Sequence, residues 1–187
     1  MELMEAFAEH IRRFRSVKDV EIEMRLGRIN NGFFDTNIGE PLFKKLVQAL
    51  EKYTGWEKVT TTEDEVFYWD NGIRCIYDHV GNSTFQKKTN ILKKDMKLDK
   101  SADVRLSIST EVKIPPVEDA QRSVTRKRKS FIRKNVRIDC TQVIGEPDDK
   151  DCEDSIKYQV ELEFLDVSTD QLIFSALHKV KDIIKCV

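Results

Sequence analysis

Charged and apolar residues alternate strictly from Val20 to Gly27, and this alternation restricts the segment to a β-strand. Side chains on a strand point to opposite faces in turn, so Glu21, Glu23 and Arg25 share one face, and the apolar residues between them share the other. Two carboxylates side by side on one face repel each other unless a cation lies between them. The segment therefore predicts a strand whose polar face binds a cation, beside an arginine that is able to bind an anion.

Later segments repeat the alternation, and most of them again have one apolar and one polar face. They predict further strands over 65–69, 73–77, 84–91, 104–114, 123–131, 132–141 and 156–164. Asp70-Asn71-Gly72 indicates a hairpin turn between the first two of these strands. Helical spacing of apolar residues predicts helices over 2–16, over 41–53, and from Ser168 or Thr169 toward the end of the chain. The fold class is mainly β (α+β), with about eight antiparallel strands, enough to close a barrel, and helices packed outside.

The polar faces of these strands carry charges of opposite sign in separate groups. The acidic group contains Glu21, Glu23, Glu161 and Glu163, and the basic group contains Arg74, Lys87, Arg105, Arg126 and Arg128. A two-layer sheet with its polar face in water explains any one of the strands. If the sheet closes, the charged faces line its interior, where charges must be paired or must hold ions. Glutamates opposite arginines and lysines fit a metal ion together with a polyanion, such as a chain of phosphates.

Residues 121–138 contain no acidic residue, and lysine and arginine dominate the run from Arg122 to Arg133. Such a run is typical of a solvated surface or of a surface that faces nucleic acid. The alternation divides it, because Arg126 and Arg128 share the inner face and Lys127 and Lys129 the outer face. The outer pair is exposed to solvent or follows an RNA backbone.

Composition excludes several other classes of protein. Charged residues make up 35% of the chain, yet the formal net charge is only -1, so the placement of charge matters more than its sum. The four cysteines have no Cys-x-x-Cys spacing and the three histidines are scattered, which indicates reduced thiols in an intracellular protein without a zinc site. No apolar run approaches the length of a membrane span. The acidic segment 145–154 predicts a solvated surface turn.

Four motifs resemble, in their order along the chain, those of the triphosphate tunnel metalloenzymes. Glu21-Ile22-Glu23-Met24-Arg25-Leu26-Gly27 resembles the first metal motif of that family. Arg126-Lys127-Arg128-Lys129-Ser130-Phe131, Arg137-Ile138-Asp139-Cys140-Thr141 and Glu161-Leu162-Glu163 resemble its later motifs. The similarity extends from Val20 to Phe164. It is greatest to the metal-dependent RNA 5′-triphosphatases of mRNA capping, of the fungal, protozoan and large-DNA-virus type.

This resemblance implies a closed antiparallel eight-stranded β-barrel tunnel, formed by a single domain over residues 1–187. It implies that Mg²⁺ or Mn²⁺ is bound by Glu21, Glu23 and Glu163, and that Glu161 positions or activates the attacking water. The phosphate-binding residues implied are Arg25, Arg74, Lys87, Arg105, Arg126 and Arg128. Arg137 and Asp139 would support the tunnel floor and its cations, and we count them with Glu161, Arg126 and Arg128 as catalytic residues.

Three positions qualify the resemblance. Because residues 84–91 alternate poorly, Lys88 is the alternative to Lys87 on the inner face. Val124 stands where the family commonly has a third basic residue, and Gln159 stands where it often has an acidic one.

The activity that the resemblance implies is hydrolysis of the γ-phosphate from the 5′-triphosphate end of RNA, the first step of mRNA cap formation. Free nucleoside triphosphates are expected as further substrates, a guanylyltransferase as a partner or fused domain, and no membrane. The implied location is the nucleus or a viral replication compartment. Hydrolysis of inorganic tripolyphosphate or thiamine triphosphate, or cyclisation of ATP, remains open within the same architecture. A non-catalytic module that binds RNA or polyphosphate is the alternative outside it.

Overall fold

The computed structural model describes residues 2–98, 100–145 and 156–186. Its elements in chain order are α1 (Glu2–Phe14), β1 (Val20–Asn30), β2 (Phe33–Asp35), α2 (Glu40–Lys52), β3 (Lys58–Tyr68), β4 (Ile73–Tyr77), β5 (Ser83–Met96), β6 (Asp103–Lys113), β7 (Arg122–Arg133), β8 (Val136–Ile144), β9 (Ile156–Phe164) and α3 (Asp170–Lys185). Most of the acidic segment 145–154 lies outside the described residues.

Eight of the nine strands in the described part of the chain close into an antiparallel barrel. Around the barrel their order is β1, β6, β5, β4, β3, β7, β8 and β9, and β9 pairs with β1 to complete the circle. Closure leaves these eight strands with a partner on both sides and removes the sheet edges. The predicted closed eight-stranded tunnel is confirmed.

The barrel is apolar outside and charged inside. Ile22, Met24 and Leu26 of β1 are at most 2% exposed, and they pack in one cluster with buried residues of all three helices. The helices contribute to this cluster Phe7, Ile11, Leu46, Ile173, Leu177 and Val180. Because alternate residues face opposite sides, burying the apolar face under helices turns Glu21, Glu23 and Arg25 inward.

The short strand β2 was not predicted, although the sequence contains a signal for it. Asn31 and Gly32 both have positive φ, 50° and 81°, as in the two-residue turns that join antiparallel strands. The hairpin folds the Phe34 ring and the Asp35 carbonyl over Gly27, where an added Cβ would lie 2.2 Å from that carbonyl oxygen. Gly27 is therefore required for the close approach of β2.

Several strand boundaries differ from the prediction, and the largest difference is in β3, which begins at Lys58 rather than at residue 65. The turn between β7 and β8 falls at Lys134 and Asn135, with φ 52° at Lys134, so Ile132 and Arg133 belong to β7 rather than to the following strand. β5 runs to Met96, and a bulge near Ile91 shifts its register with β6. That bulge explains why the strand alternates poorly.

Among the described residues, no helix is long and apolar enough to cross a membrane. Cys75 and Cys140 are buried free thiols, and Cys186 is a partly exposed one.

The packing between barrel and helices predicts that Leu106→Ala destabilises the protein by about 2–5 kcal/mol. The Leu106 side chain is 0% exposed, so its truncation leaves a cavity in the core. Val80→Ala, at a side chain that is 72% exposed, is the matched control and should change the free energy of unfolding by less than about 0.5 kcal/mol. Urea denaturation measures both. Equal effects would contradict the placement of the core outside the barrel.

Candidate active site in the barrel interior

The charged faces of the strands enclose a cavity of about 1040 Å³. All but one of the predicted site residues line it: Glu21, Glu23, Arg25, Arg74, Arg105, Arg126, Arg128, Arg137, Asp139, Glu161 and Glu163. The positions of these residues therefore agree with the prediction that the acidic and basic strand faces line one interior.

Strand pairing places the four glutamates next to one another. Glu23 of β1 lies directly opposite Glu163 of β9, and Arg25 lies opposite Glu161. Side chains at such opposite positions point to the same face with Cβ atoms about 5 Å apart. Glu21, two residues before Glu23, projects from the same face of β1.

In this structure, basic side chains bind these carboxylates. The Lys88 ammonium lies 2.5 Å from a Glu21 oxygen and 3.2 Å from a Glu23 oxygen. The Arg25 guanidinium lies 3.0 Å from oxygens of both Glu23 and Glu161. Each pair compensates part of the cost of burying the charges inside the barrel.

Asp139 and Glu163 receive similar compensation from β7 and β8. Arg137 donates to Asp139 at 3.1 Å and also to Glu163, while the Ser130 hydroxyl donates to Asp139 at 2.6 Å. Arg128 lies 3.3 Å from Asp139. Three different side chains thereby hold Asp139 in the lining of the cavity.

The carboxylate set fits a hard cation by its chemistry, although the side chains are not arranged around one. Burial, followed by the charge of Glu161, raises the pKa of Glu23, and burial raises the pKa of Glu163 despite Arg137 beside it. Two ionised carboxylates in this environment would be stabilised by a divalent ion, and oxygen donors suit Mg²⁺ and Mn²⁺. Within the described ranges, no three acidic, histidine or cysteine side chains are gathered as ligands, since Lys88, Arg25 and Arg137 draw the carboxylates toward themselves.

Glu161 differs from its acidic neighbours in its electrostatics. Burial alone would raise its pKa, but the positive charges of Arg25, Arg128 and Lys88 together lower the pKa of Glu161 below its ordinary value. This carboxylate is therefore ionised at neutral pH and accepts hydrogen bonds without readily taking a proton.

The buried charge of Arg126 is only weakly compensated by its neighbours. The residue is 7% exposed, and the nearest carboxylate oxygen, on Asp64, is 3.7 Å away. Among the described residues its Nε is the buried side-chain nitrogen or oxygen that lacks a hydrogen-bond partner. Burial and then the charge of Arg128 lower the pKa of Arg126 to about 10, so the group stays protonated at neutral pH. A buried guanidinium that is charged and lacks a hydrogen-bond partner is suited to bind an anion.

Lys87 was predicted to face the interior, and this prediction was wrong. Lys87 is exposed, whereas Lys88 lines the cavity between Glu21 and Glu23. The sequence contained the signal, because Lys87 shares a face with Phe85, and apolar faces point outward in this barrel. Phe85 packs outside, with its ring centroid 5.9 Å from that of Trp69.

The sequence analysis did not identify several residues of the barrel interior. It also did not predict the bonding partners of Arg74 and Arg105. Arg74 donates to Glu111 at 2.5 Å and to Gln86 at 3.1 Å, and Arg105 makes two bonds to Asp95, at 2.6 and 2.8 Å. Alternation within β3 and β5 could have identified Asp64, Gln86 and Lys93, but short polar stretches in these strands obscure the pattern.

The outer side chains of the basic strand contact acids on the barrel surface. Lys127 lies 3.7 Å from Glu63, and Lys129 pairs with Glu51 of α2. The predicted division of β7 into inner arginines and outer lysines therefore agrees with their positions.

Comparison with known proteins identifies the family. The family described as "mRNA capping enzyme, beta chain" matches residues 70–181, which is more than half of the chain. The matched segment contains the β7, β8 and β9 site residues but not Glu21 and Glu23. No curated protein matches the chain by sequence.

Two solved structures share the fold. The S. pombe Pct1 RNA triphosphatase in complex with the Spt5 CTD has a TM-score of 0.84 at 15% identity, covering 100% of this chain and 94% of that one. A second structure of the S. pombe Pct1 RNA triphosphatase has a TM-score of 0.84 at 14% identity, with the same coverage. At identities this low, the TM-scores show the shared fold alone.

The raised pKa of Glu23 predicts that Glu23→Gln stabilises the metal-free protein at neutral pH. A carboxyl whose pKa is higher in the folded than in the unfolded state contributes stability below the ordinary value of 4.5, and loses it as the pH rises through the folded pKa. At pH 7 the variant should therefore unfold at higher urea concentration than wild type, and the difference should shrink toward pH 4. A variant less stable than wild type at pH 7 in EDTA would contradict the electrostatic description of the site.

Proposed function

Because the chain belongs to the mRNA capping enzyme beta-chain family, we propose that it hydrolyses the γ-phosphate of the 5′-triphosphate end of RNA, the first step of cap formation. One observation carries the proposal: the cavity places the incompletely compensated Arg126 in the same interior as Glu23, Glu161 and Glu163. An anion-binding group and a carboxylate group in one enclosed space are the two parts that metal-assisted phosphohydrolysis needs.

The basic side chains bind and orient the triphosphate. Phosphoryl transfer depends on in-line positioning and on neutralising charge at the nonbridging oxygens, more than on covalent chemistry by the protein. Arg126 and Arg128 project into the cavity from neighbouring positions of β7, and Arg74 enters from β4. Their guanidinium groups present planar pairs of donors that match phosphate oxygens.

Glu161 orients the attacking water. Its lowered pKa makes it a weak proton acceptor, so we assign it the task of accepting a hydrogen bond from water rather than of removing a proton in the ground state. Arg25, 3.0 Å from Glu161 and equally close to Glu23, fixes the direction of that carboxylate. Arg137 and Asp139 hold the floor beneath it.

Glu21, Glu23 and Glu163 are the residues that would hold Mg²⁺ or Mn²⁺. A bound divalent ion would supply further neutralisation of the phosphate charge. The Lys88 ammonium lies between Glu21 and Glu23 and keeps these two like-charged carboxylates together in the folded chain.

The proposal extends to the context of the reaction. The same interior would accept free nucleoside triphosphates, and residues 1–187 would act as one tunnel domain. The substrate places the protein where nascent transcripts are made, in the nucleus or a viral replication compartment. A guanylyltransferase, bound or fused, would use the diphosphate-ended RNA that is produced.

The proposed function predicts that Glu23→Gln lowers γ-phosphate release from triphosphate-ended RNA by at least about 10²–10³-fold in Mg²⁺ or Mn²⁺, since it removes a metal-binding and charge-stabilising oxygen. Release of labelled phosphate measures the rate. Glu63→Gln, an exposed position on the outside of β3, is the control and should keep near-normal activity. Wild-type protein that releases no phosphate with either metal would reject the function, and an active Glu23→Gln protein would reject the ligand assignment.

The inner and outer faces of β7 predict different effects for neighbouring residues. Arg126→Ala should reduce kcat/KM for nucleoside triphosphate hydrolysis by about 10²-fold, because a buried cation that neutralises the phosphates is lost. Lys127→Ala should change it less than about twofold, because Lys127 lies outside the barrel beside Glu63. Steady-state kinetics with ATP compares the two variants. Similar losses in both would mean that the inner and outer positions of β7 are interchanged.

A further inference from the structure

Residues at the end of β3 and the start of β7 line one end of the cavity. Tyr68 is the last residue of β3 and Arg122 the first of β7, and the two lie directly opposite each other. Trp69 and Asp70, which follow β3, and Gln121, which precedes β7, also line the cavity. We call this end of the cavity the β3–β7 rim.

An apolar patch interrupts the charged lining next to this rim. Val66, Val124 and Val143 form a small buried cluster, separate from the main core outside the barrel, and Tyr68 and Ile76 pack against it. Tyr68, Ile76 and Val143 also line the cavity. In a tunnel otherwise lined by charged and polar groups, this patch offers nothing to a phosphate and is suited to an apolar or aromatic part of a ligand.

The Tyr68 ring is held in place beside the phosphate-binding arginines. The Arg122 guanidinium lies 4.6 Å from its centroid, in the geometry of a cation–π contact. The Tyr68 phenol lies within electrostatic range of Arg74 and Arg126. Tyr68 lies four positions after Asp64, which pairs with Arg126, and this corresponds to about 13 Å along the strand. Phosphates bound between Arg126 and the rim would therefore lead toward Tyr68.

We propose that Tyr68, with Ile76 and Val143, forms the subsite for the first nucleoside of the substrate, so that the RNA enters by the β3–β7 rim with its γ-phosphate directed toward Glu161. This inference rests on the proposed function and adds the direction and the nucleoside contact of the substrate. Aromatic rings bind nucleobases by stacking, with little dependence on which base is present. At the same rim the Gln121 amide donates to the Asp70 carboxylate at 2.7 Å, so these two polar groups bond to each other.

The test compares one ligand that has a nucleoside with one that lacks it. Calorimetric titration in Mg²⁺ uses adenosine 5′-(β,γ-imido)triphosphate and inorganic imidotriphosphate, with the full chain. Tyr68→Leu keeps an apolar side chain in the patch but removes the ring. We expect its affinity for the nucleotide analogue to fall about tenfold, a typical loss for one base–aromatic stack, while its affinity for imidotriphosphate changes less than twofold.

Two further variants separate stacking from folding. Tyr68→Phe keeps the ring and should retain affinity for the analogue. Tyr77→Leu removes a tyrosine that lies outside the barrel against Phe67, with 5.5 Å between centroids, and should change neither affinity. Equal losses for both ligands in Tyr68→Leu, or no loss for either, would overturn the subsite. Because binding is measured without turnover, a protein that shows the expected difference but releases no γ-phosphate would overturn the proposed hydrolysis and leave the subsite standing.

Discussion

The interior of this barrel depends on mutual compensation between buried charges. A carboxylate or guanidinium removed from water is stable only when opposite charges and hydrogen bonds replace the solvent. Lys88 between Glu21 and Glu23, Arg25 between Glu23 and Glu161, and the bonds to Asp139 supply that replacement. The apolar faces of β1, β6, β8 and β9 can pack outward under the helices only because charges on the inner faces compensate one another.

Compensation of charge is uneven around the cavity. Burial raises the pKa of Glu23 and of Glu163 despite the cations beside them, and burial together with the charge of Arg128 lowers the pKa of Arg126. Under the proposed function, a cation at the two glutamates and an anion at Arg126 would each relieve part of the cost of this burial. Because the two ligands carry opposite charges, the binding of each would favour that of the other.

The closed barrel with its charged faces inward was implied by the resemblance to the tunnel family. Alternation along strands was enough to predict which side chains share a face and which face is charged, because the period of two fixes both. It failed where the period is broken or too short to see. The bulge in β5 hid that Lys88 rather than Lys87 faces inward, and the three-residue strand β2 has too few positions to show a pattern. Pairings such as Arg74 with Glu111 depend on which strands become neighbours, and that information is not contained in either strand alone.

Val124 shows how a single departure from the family pattern can change a site. A basic residue at this inward position would face the cavity beside Arg126 and raise the repulsion that already lowers the pKa of Arg126. Val124 instead packs with Val66 and Val143, 4% exposed, and completes the apolar surface on which Tyr68 rests. Under the proposed function, the exchange would remove one cation from the phosphate path and add support for an aromatic ring at the rim. Recognition would then depend less on the phosphates, which every triphosphate shares, and more on the nucleoside that distinguishes a nucleic-acid end from inorganic tripolyphosphate.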